Sequence, residues 1–130
     1  MVINWLAVLA AALSAFILGG LWYGPVFGKA WMAASGVTEE RARSGNPALT
    51  FGLAFLLALI SSASFAVFLG PAVTLMQGTL YGLTAGLCWV AASYGISYLF
   101  ERRTLRHFLI NGGYHTVQFT LIGAILGAWH

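Results

Sequence analysis

Residues 48–69 read ALTFGLAFLLALISSASFAVFL, a run of 22 residues without a charge. At ~1.5 Å per residue, a helix of that length covers the ~30 Å hydrocarbon core of a bilayer. Its hydrophobicity is continuous rather than alternating, which excludes a barrel strand. In hydrocarbon every backbone polar group must be satisfied within its own segment, so a helix remains. Asn46-Pro47 in front of the run supplies a capping side chain and a proline at the first helical position. Gly70-Pro71 follows it.

Three further runs of the same kind flank this one, over residues 4–23, 75–100 and 108–129, none containing Asp, Glu, Lys or Arg. The chain therefore reads as all-α, an integral membrane bundle of four transmembrane helices forming one domain over residues 1–130. Residues Gly70 to Thr74 alone connect the second and third helices, which predicts a tight antiparallel hairpin. The first run starts at Ile3 without a basic leader and is read as a retained helix, not a signal peptide. Composition agrees: 60% of the residues are hydrophobic and 7% are charged, where a soluble domain carries about 25% charge.

A net charge of +3 and a pI near 9.4 raise the question of nucleic acid. The six basic residues, Lys29, Arg41, Arg43, Arg102, Arg103 and Arg106, all fall in the first and third loops. They form no patch interleaved with stacking aromatics, so nucleic-acid binding is not expected. Loops rich in Lys and Arg stay on the cytoplasmic side. This places both charged loops in the cytoplasm and both termini outside it, with a bacterial inner membrane as the expected location. In the first loop, Thr38-Glu39-Glu40 can open a short helix, and Phe27, Lys29 and Trp31 read as an interfacial anchor. Arg102, Arg103 and Arg106 are placed to meet anionic lipid headgroups, which makes membrane lipids the first expected partners.

Two patterns run along the helices. Gly78, Gly82 and Gly86 give a small-residue face on the third helix, continued by Ser93 and Ser97. Gly123 and Gly127 on the fourth helix and Gly20 and Gly24 on the first offer similar faces. Missing side chains at that spacing let another helix approach closely. The neighbour is either within the chain or in a homo-oligomer or membrane partner subunit. Asn111, His115 and Gln118 recur at i, i+4 and i+7 on the fourth helix, with Tyr114 beside them and His107 earlier. They must point inward, either as an interhelical hydrogen-bond network or as the lining of a path for a solute, ion or proton.

Chemistry beyond this is thinly signalled. His107, His115 and His130 are about 12 and 22 Å apart along one helix at ~1.5 Å per residue, so they share no metal within a chain, and no cofactor is implied. Asp is absent, and Glu39, Glu40 and Glu101 lie in loops. Ser61, Ser62, Ser64 and Cys88 carry no nucleophile motif, so an enzyme is not expected. Cys88 is alone, and Gly20-Leu21-Trp22 is only faintly echoed by Gly86-Leu87-Cys88-Trp89.

Asn4-Trp5, the run GLWYGPVFGKAW at residues 20–31, and NGGYH at 111–115 leading to Gly127-Ala128-Trp129 together resemble the bacterial membrane family called domain of unknown function 1761, over nearly the whole length. The resemblance implies a small polytopic membrane protein and carries no activity with it. Two functional classes follow from the residues. One is a protein acting through helix packing, oligomers or partner subunits, for which the polar cluster is sealed. The other is a conduit or carrier for a small solute, ion or lipid, for which that cluster borders a cavity. An apolar pocket formed by Trp22, Trp89 and Trp129 is a further place for a lipid.

The charge distribution sets a first prediction. With Cys88 replaced by Ala, single cysteines introduced as Ser44→Cys or Thr104→Cys are expected to be protected from a membrane-impermeant thiol reagent in intact cells. Labelling of either from outside would overturn the orientation.

Overall fold

Each of the four long helices starts at a side chain that accepts a hydrogen bond from an otherwise orphaned backbone N–H. Asn4 caps through Ala7 N at 3.2 Å, Asn46 through Leu49 N at 3.2 Å and Thr104 through His107 N at 3.1 Å. Thr74 and Gln77 form a reciprocal capping box with both bonds at 3.1 Å. The computed structural model describes residues 3–129 and is helical, with no strand among the described residues. His130 lies outside them, and with it the last of the three histidines considered above.

Helix α1 spans Trp5–Leu21 and is prolonged by a π-helical turn, Trp22–Val26. The first loop contains α2, Gly28–Ser35, and α3, Glu39–Arg43, the latter capped by Thr38. Helix α4 is Pro47–Leu69. Helices α5, Leu75–Thr84, and α6, Ala92–Glu101, form one rod, joined by π-helical residues Ala85–Ala91. Helix α7 is Leu105–Ala128.

Three helices are long and apolar enough to cross a membrane: Trp5–Val26, Pro47–Leu69 and Leu75–Glu101. Helix α7, expected as a fourth span, has the length at 24 residues, but its polar residues keep it from standing with them as a clear span. Its place in the bundle accounts for that composition. It touches α1, α2, α4, α5, α6 and the second π-helical segment, and buries His107, Ile110, Gly112, Gln118, Ile122, Gly123, Leu126 and Gly127. Helix α4, by contrast, exposes Leu49, Leu53, Leu56 and Ile60, an apolar surface compatible with a membrane span.

The α5–α7 contact is made by backbone. A Cβ on Gly78 would collide with the Gly123 carbonyl, and one on Gly82 with the Phe119 carbonyl. One on Gly86 would stand 2.7 Å from the His115 carbonyl and 2.8 Å from Thr116 Cα. Gly123 and Gly127 answer from α7, meeting Gly78 and Thr74. The glycine face is thus used inside the chain. Gly20 and Gly24 behave differently: a Cβ at either meets nothing within 4 Å, so the first helix has no packing face there. Its close contacts use alanines instead, with Ala7, Ala11, Ala12 and Ala15 fully buried against α4 and α7.

Two sequence expectations are corrected. Helices α4 and α5, although joined by five residues, do not form a packed hairpin. Helix α4 lies on α1 and α7, and α5 lies on α7. Gly70, at φ +76°, and Pro71 turn the chain, but the glycine face of α5 favours α7 over α4. Ser93 and Ser97 do not continue the glycine face either, since both are exposed.

Replacing Gly82 with Leu should overpack the α5–α7 contact and cost at least about 1–3 kcal/mol. Gly52→Leu, where a Cβ meets nothing within 4 Å, should leave stability nearly unchanged. Comparing thermal unfolding of the two variants in detergent tests this, and equal midpoints would contradict it.

Candidate ligand cavity

A π-helical segment contains one residue more than α-helical turns would over the same path, and this displaces everything after it. At ~100° per residue, position 93 would fall back on the face set by Gly86. With the extra residue in Ala85–Ala91, that place passes to Tyr94, and Tyr98 follows one turn later. Both then reach α7. Tyr94 OH is 3.2 Å from His115 Nε2, with the two rings stacked at 4.9 Å between centroids. Tyr98 OH accepts a 2.6 Å bond from Asn111 Nδ2.

The turn Trp22–Val26 has a similar role at the end of α1. Pro25 lies inside it, and Phe27 N reaches back to the Trp22 carbonyl at 2.8 Å. Tyr23 OH donates to Asn111 Oδ1 at 2.6 Å. Trp22 Nε1 donates to the Ile110 carbonyl at 2.9 Å, and Tyr114 OH donates to the Ala15 carbonyl at 3.0 Å. Helices α1 and α7 are therefore cross-linked in both directions through backbone carbonyls that have a spare lone pair.

The polar residues expected to act together form two networks. Asn111 is held between Tyr23 and Tyr98. His115 is held between Gln118, whose Oε1 lies 2.7 Å from Nδ1, and Tyr94. With Gln118 Oε1 accepting, the neutral imidazole carries its proton on Nδ1, and Nε2 accepts from the Tyr94 hydroxyl. Ring contacts link the networks, Tyr23 to Tyr114 at 5.4 Å, Tyr114 to His115 at 4.9 Å and Tyr94 to Tyr98 at 5.6 Å. His107 packs on Tyr98, and its Nδ1 is buried without a partner.

Beside the second network lies a partly open cavity of about 780 Å³. Tyr23, Tyr94, Tyr114, His115, Gln118 and Ser61 supply its polar wall, while Phe16, Phe51, Leu57, Val90 and Phe119 supply much of the rest. Gly20 and Gly24 also line it, so their missing side chains leave room for the cavity instead of a helix. It occupies the gap where α4 stands off from the α5–α6 rod, with α1 and α7 behind. Asn111 is outside the lining. So are Trp22, Trp89 and Trp129, the tryptophans expected to form an apolar pocket. Trp22 packs on Phe27 and Tyr114, and Trp89 and Trp129 are exposed.

Phe27 and Trp31 pack on Trp22 and Tyr23, while Lys29 is exposed. Arg102, Arg103 and Arg106 are exposed around the α6–α7 turn, with Arg103 Nε 3.3 Å from Glu101. The side chain of Arg43 lies outside the described residues. No cluster able to hold a metal occurs among the described residues.

Tyr23, Tyr94 and Tyr98 are the site residues that the sequence pattern did not single out. The usable signal was the i, i+4 spacing of Tyr94 and Tyr98 in a span otherwise short of hydrogen-bonding groups. Asn111→Ala should remove two bonds worth ~0.6 kcal/mol each in membrane proteins, about 1 kcal/mol together. In a Tyr98→Phe background the loss should fall by about half. Reversible unfolding in mixed micelles measures both, and equal losses in the two backgrounds would refute the coupling.

No curated protein and no solved structure matches the chain. The profile of a family described as "Protein of unknown function (DUF1761)" matches residues 6–127. The residues of the helical bundle and the cavity fall almost wholly within that match, and the chain belongs to the DUF1761 family.

Proposed function

We propose that the chain is a four-span membrane protein that binds a small amphiphilic molecule in the cleft between α4 and the α5–α6 rod. The cavity carries this reading. A network that served only to fix packing would need no open space beside it, whereas about 780 Å³ adjoins Tyr94, His115 and Gln118. That volume lies within the ~300–1,000 Å³ usual for small-molecule sites. The wall chemistry, mostly aromatic and aliphatic with polar groups on one side, suits a molecule with a chain and a head. Ser61 and His115 both line the cavity, but no hydrogen bond joins them. We therefore read a binding protein or carrier rather than an enzyme.

The fourth span in this proposal is α7, whose polar side chains face other helices and so avoid hydrocarbon. The charged ends of α1, α4, α6 and α7 would lie at the cytoplasmic face of a bacterial inner membrane. Arg102, Arg103 and Arg106 would then meet lipid headgroups, and Lys29, with Phe27 and Trp31, would sit at the interface. The glycine face is occupied within the chain. A second copy or a partner subunit would therefore have to use an outer surface such as that of α4.

Gly20→Trp tests the reading without touching either hydrogen-bond network, because the space in front of position 20 is open. An environment-sensitive naphthylamine dye should bind the wild-type protein in nanodiscs, and the variant should bind it at least ~10-fold more weakly, equivalent to about 1.4 kcal/mol. Thermal stability should be unchanged. Equal dye binding by the two proteins would eliminate the cavity as the site.

A further inference from the structure

Three tyrosines face the cavity, and each has already committed its hydroxyl proton to the protein. Tyr23 donates to Asn111 Oδ1, Tyr114 to the Ala15 carbonyl and Tyr94 to His115 Nε2. The single proton of neutral His115, on Nδ1, is committed to Gln118 Oε1. Gln118 is 7% exposed and lines the cavity. Its oxygen is engaged, and its Nε2 amide has no hydrogen-bond partner among the described residues. This nitrogen is not sealed off by the protein, and a donor left unpaired against an apolar ligand is costly, so it bears on what the polar wall requires from a ligand.

We propose that the amphiphile bound here has an uncharged head with a carbonyl oxygen, and that this oxygen accepts a hydrogen bond from Gln118 Nε2. The assignment rests on the cavity being the binding site, as proposed above. Two observations on the lining carry it. The donors left on the wall are the Gln118 amide nitrogen and the Ser61 hydroxyl, and a carbonyl oxygen, with two lone pairs and no proton of its own, is the head that both can meet. Among the described residues no Lys, Arg, Asp or Glu lines the cavity, so a charged head would lose its water with no opposite charge there to replace it. The chain of the ligand lies along Phe16, Phe51, Leu57 and Phe119. Gln118 therefore acts as the specificity residue and His115 as a positioning residue, because its Nδ1 proton holds the Gln118 amide with the nitrogen turned away from the ring.

The test uses full-length protein in nanodiscs and displacement of the naphthylamine dye by three probes of equal chain length: a methyl ketone, the parent alkane and the primary alkylammonium. The ketone should displace the dye at roughly 10-fold lower concentration than either other probe, the ratio expected for one well-made hydrogen bond to an otherwise unpaired donor. Gln118→Met should bring the ketone and the alkane together when each is scaled to that variant's own dye affinity. If that variant does not fold, the ranking of the three probes on the wild-type protein decides by itself. Equal displacement by ketone and alkane, or an ammonium probe as effective as the ketone, would overturn the head-group assignment while leaving the cavity reading intact. The cavity reading fails separately, through equal dye binding by the wild-type protein and Gly20→Trp.

Discussion

The approach of α5 to α7 along Gly78, Gly82 and Gly86 sets the rest of the arrangement. Where side chains are absent on both sides, backbones come close enough for dispersion and weak Cα–H···O contacts to act over the whole length of the crossing. In lipid, where burying an apolar side chain against a helix gains little over burying it in acyl chains, such contact is a main source of cohesion. It draws α7 into the centre of the bundle. A helix so placed can carry Asn111, His115 and Gln118, because each meets a protein partner where hydrocarbon would offer none.

The second determinant is the extra residue in Ala85–Ala91. The glycine face and the tyrosine face of the third helix both look toward α7, although ideal α-helical phase would separate them. A π-helical segment reconciles them by rotating the rod after the last glycine contact. This bulge is what lets one helix supply close packing at one end and hydrogen-bonding hydroxyls at the other, a use consistent with the frequency of π-bulges at functional sites. The equivalent turn at Trp22–Val26 brings Tyr23 to the same place from α1. Three of the five tyrosines in the chain, Tyr23, Tyr94 and Tyr98, are brought to α7 in this way, and a fourth, Tyr114, belongs to α7 itself.

The cavity is the complement of these contacts. Helices α1 and α7 are cross-linked by Trp22 and Tyr114, and α5 is bound to α7 by its glycines, so α4 is left with α1 and part of α7. Its side toward the α5–α6 rod remains apart over much of its length, bridged by the Phe68–Trp89 contact. Gly20 and Gly24 keep the α1 wall of the gap bare. Space, an unpaired amide and the absence of charge then coincide, and that coincidence supports an amphiphile site where composition alone would support only a membrane anchor.

Much of this was legible in the chain. Uncharged runs of membrane-spanning length, the caps at Asn46 and Thr38, the glycine spacing and the inward polar face of α7 follow from local chemistry, which acts over a few residues and leaves a periodic trace. Hydropathy along the chain made residues 108–129 a fourth span like the others, where three helices stand out as long and apolar enough to cross a membrane. The tertiary structure decided the rest. Whether the glycines pair within one chain depends on which helix reaches them first, and the choice of α7 over α4 involves residues some forty positions apart. Tyr94 displaced Ser93 because a single inserted residue changes the facing of every later side chain, a shift that leaves no periodic mark. The cavity exists only where two helices fail to meet, and no residue encodes an absence of contact.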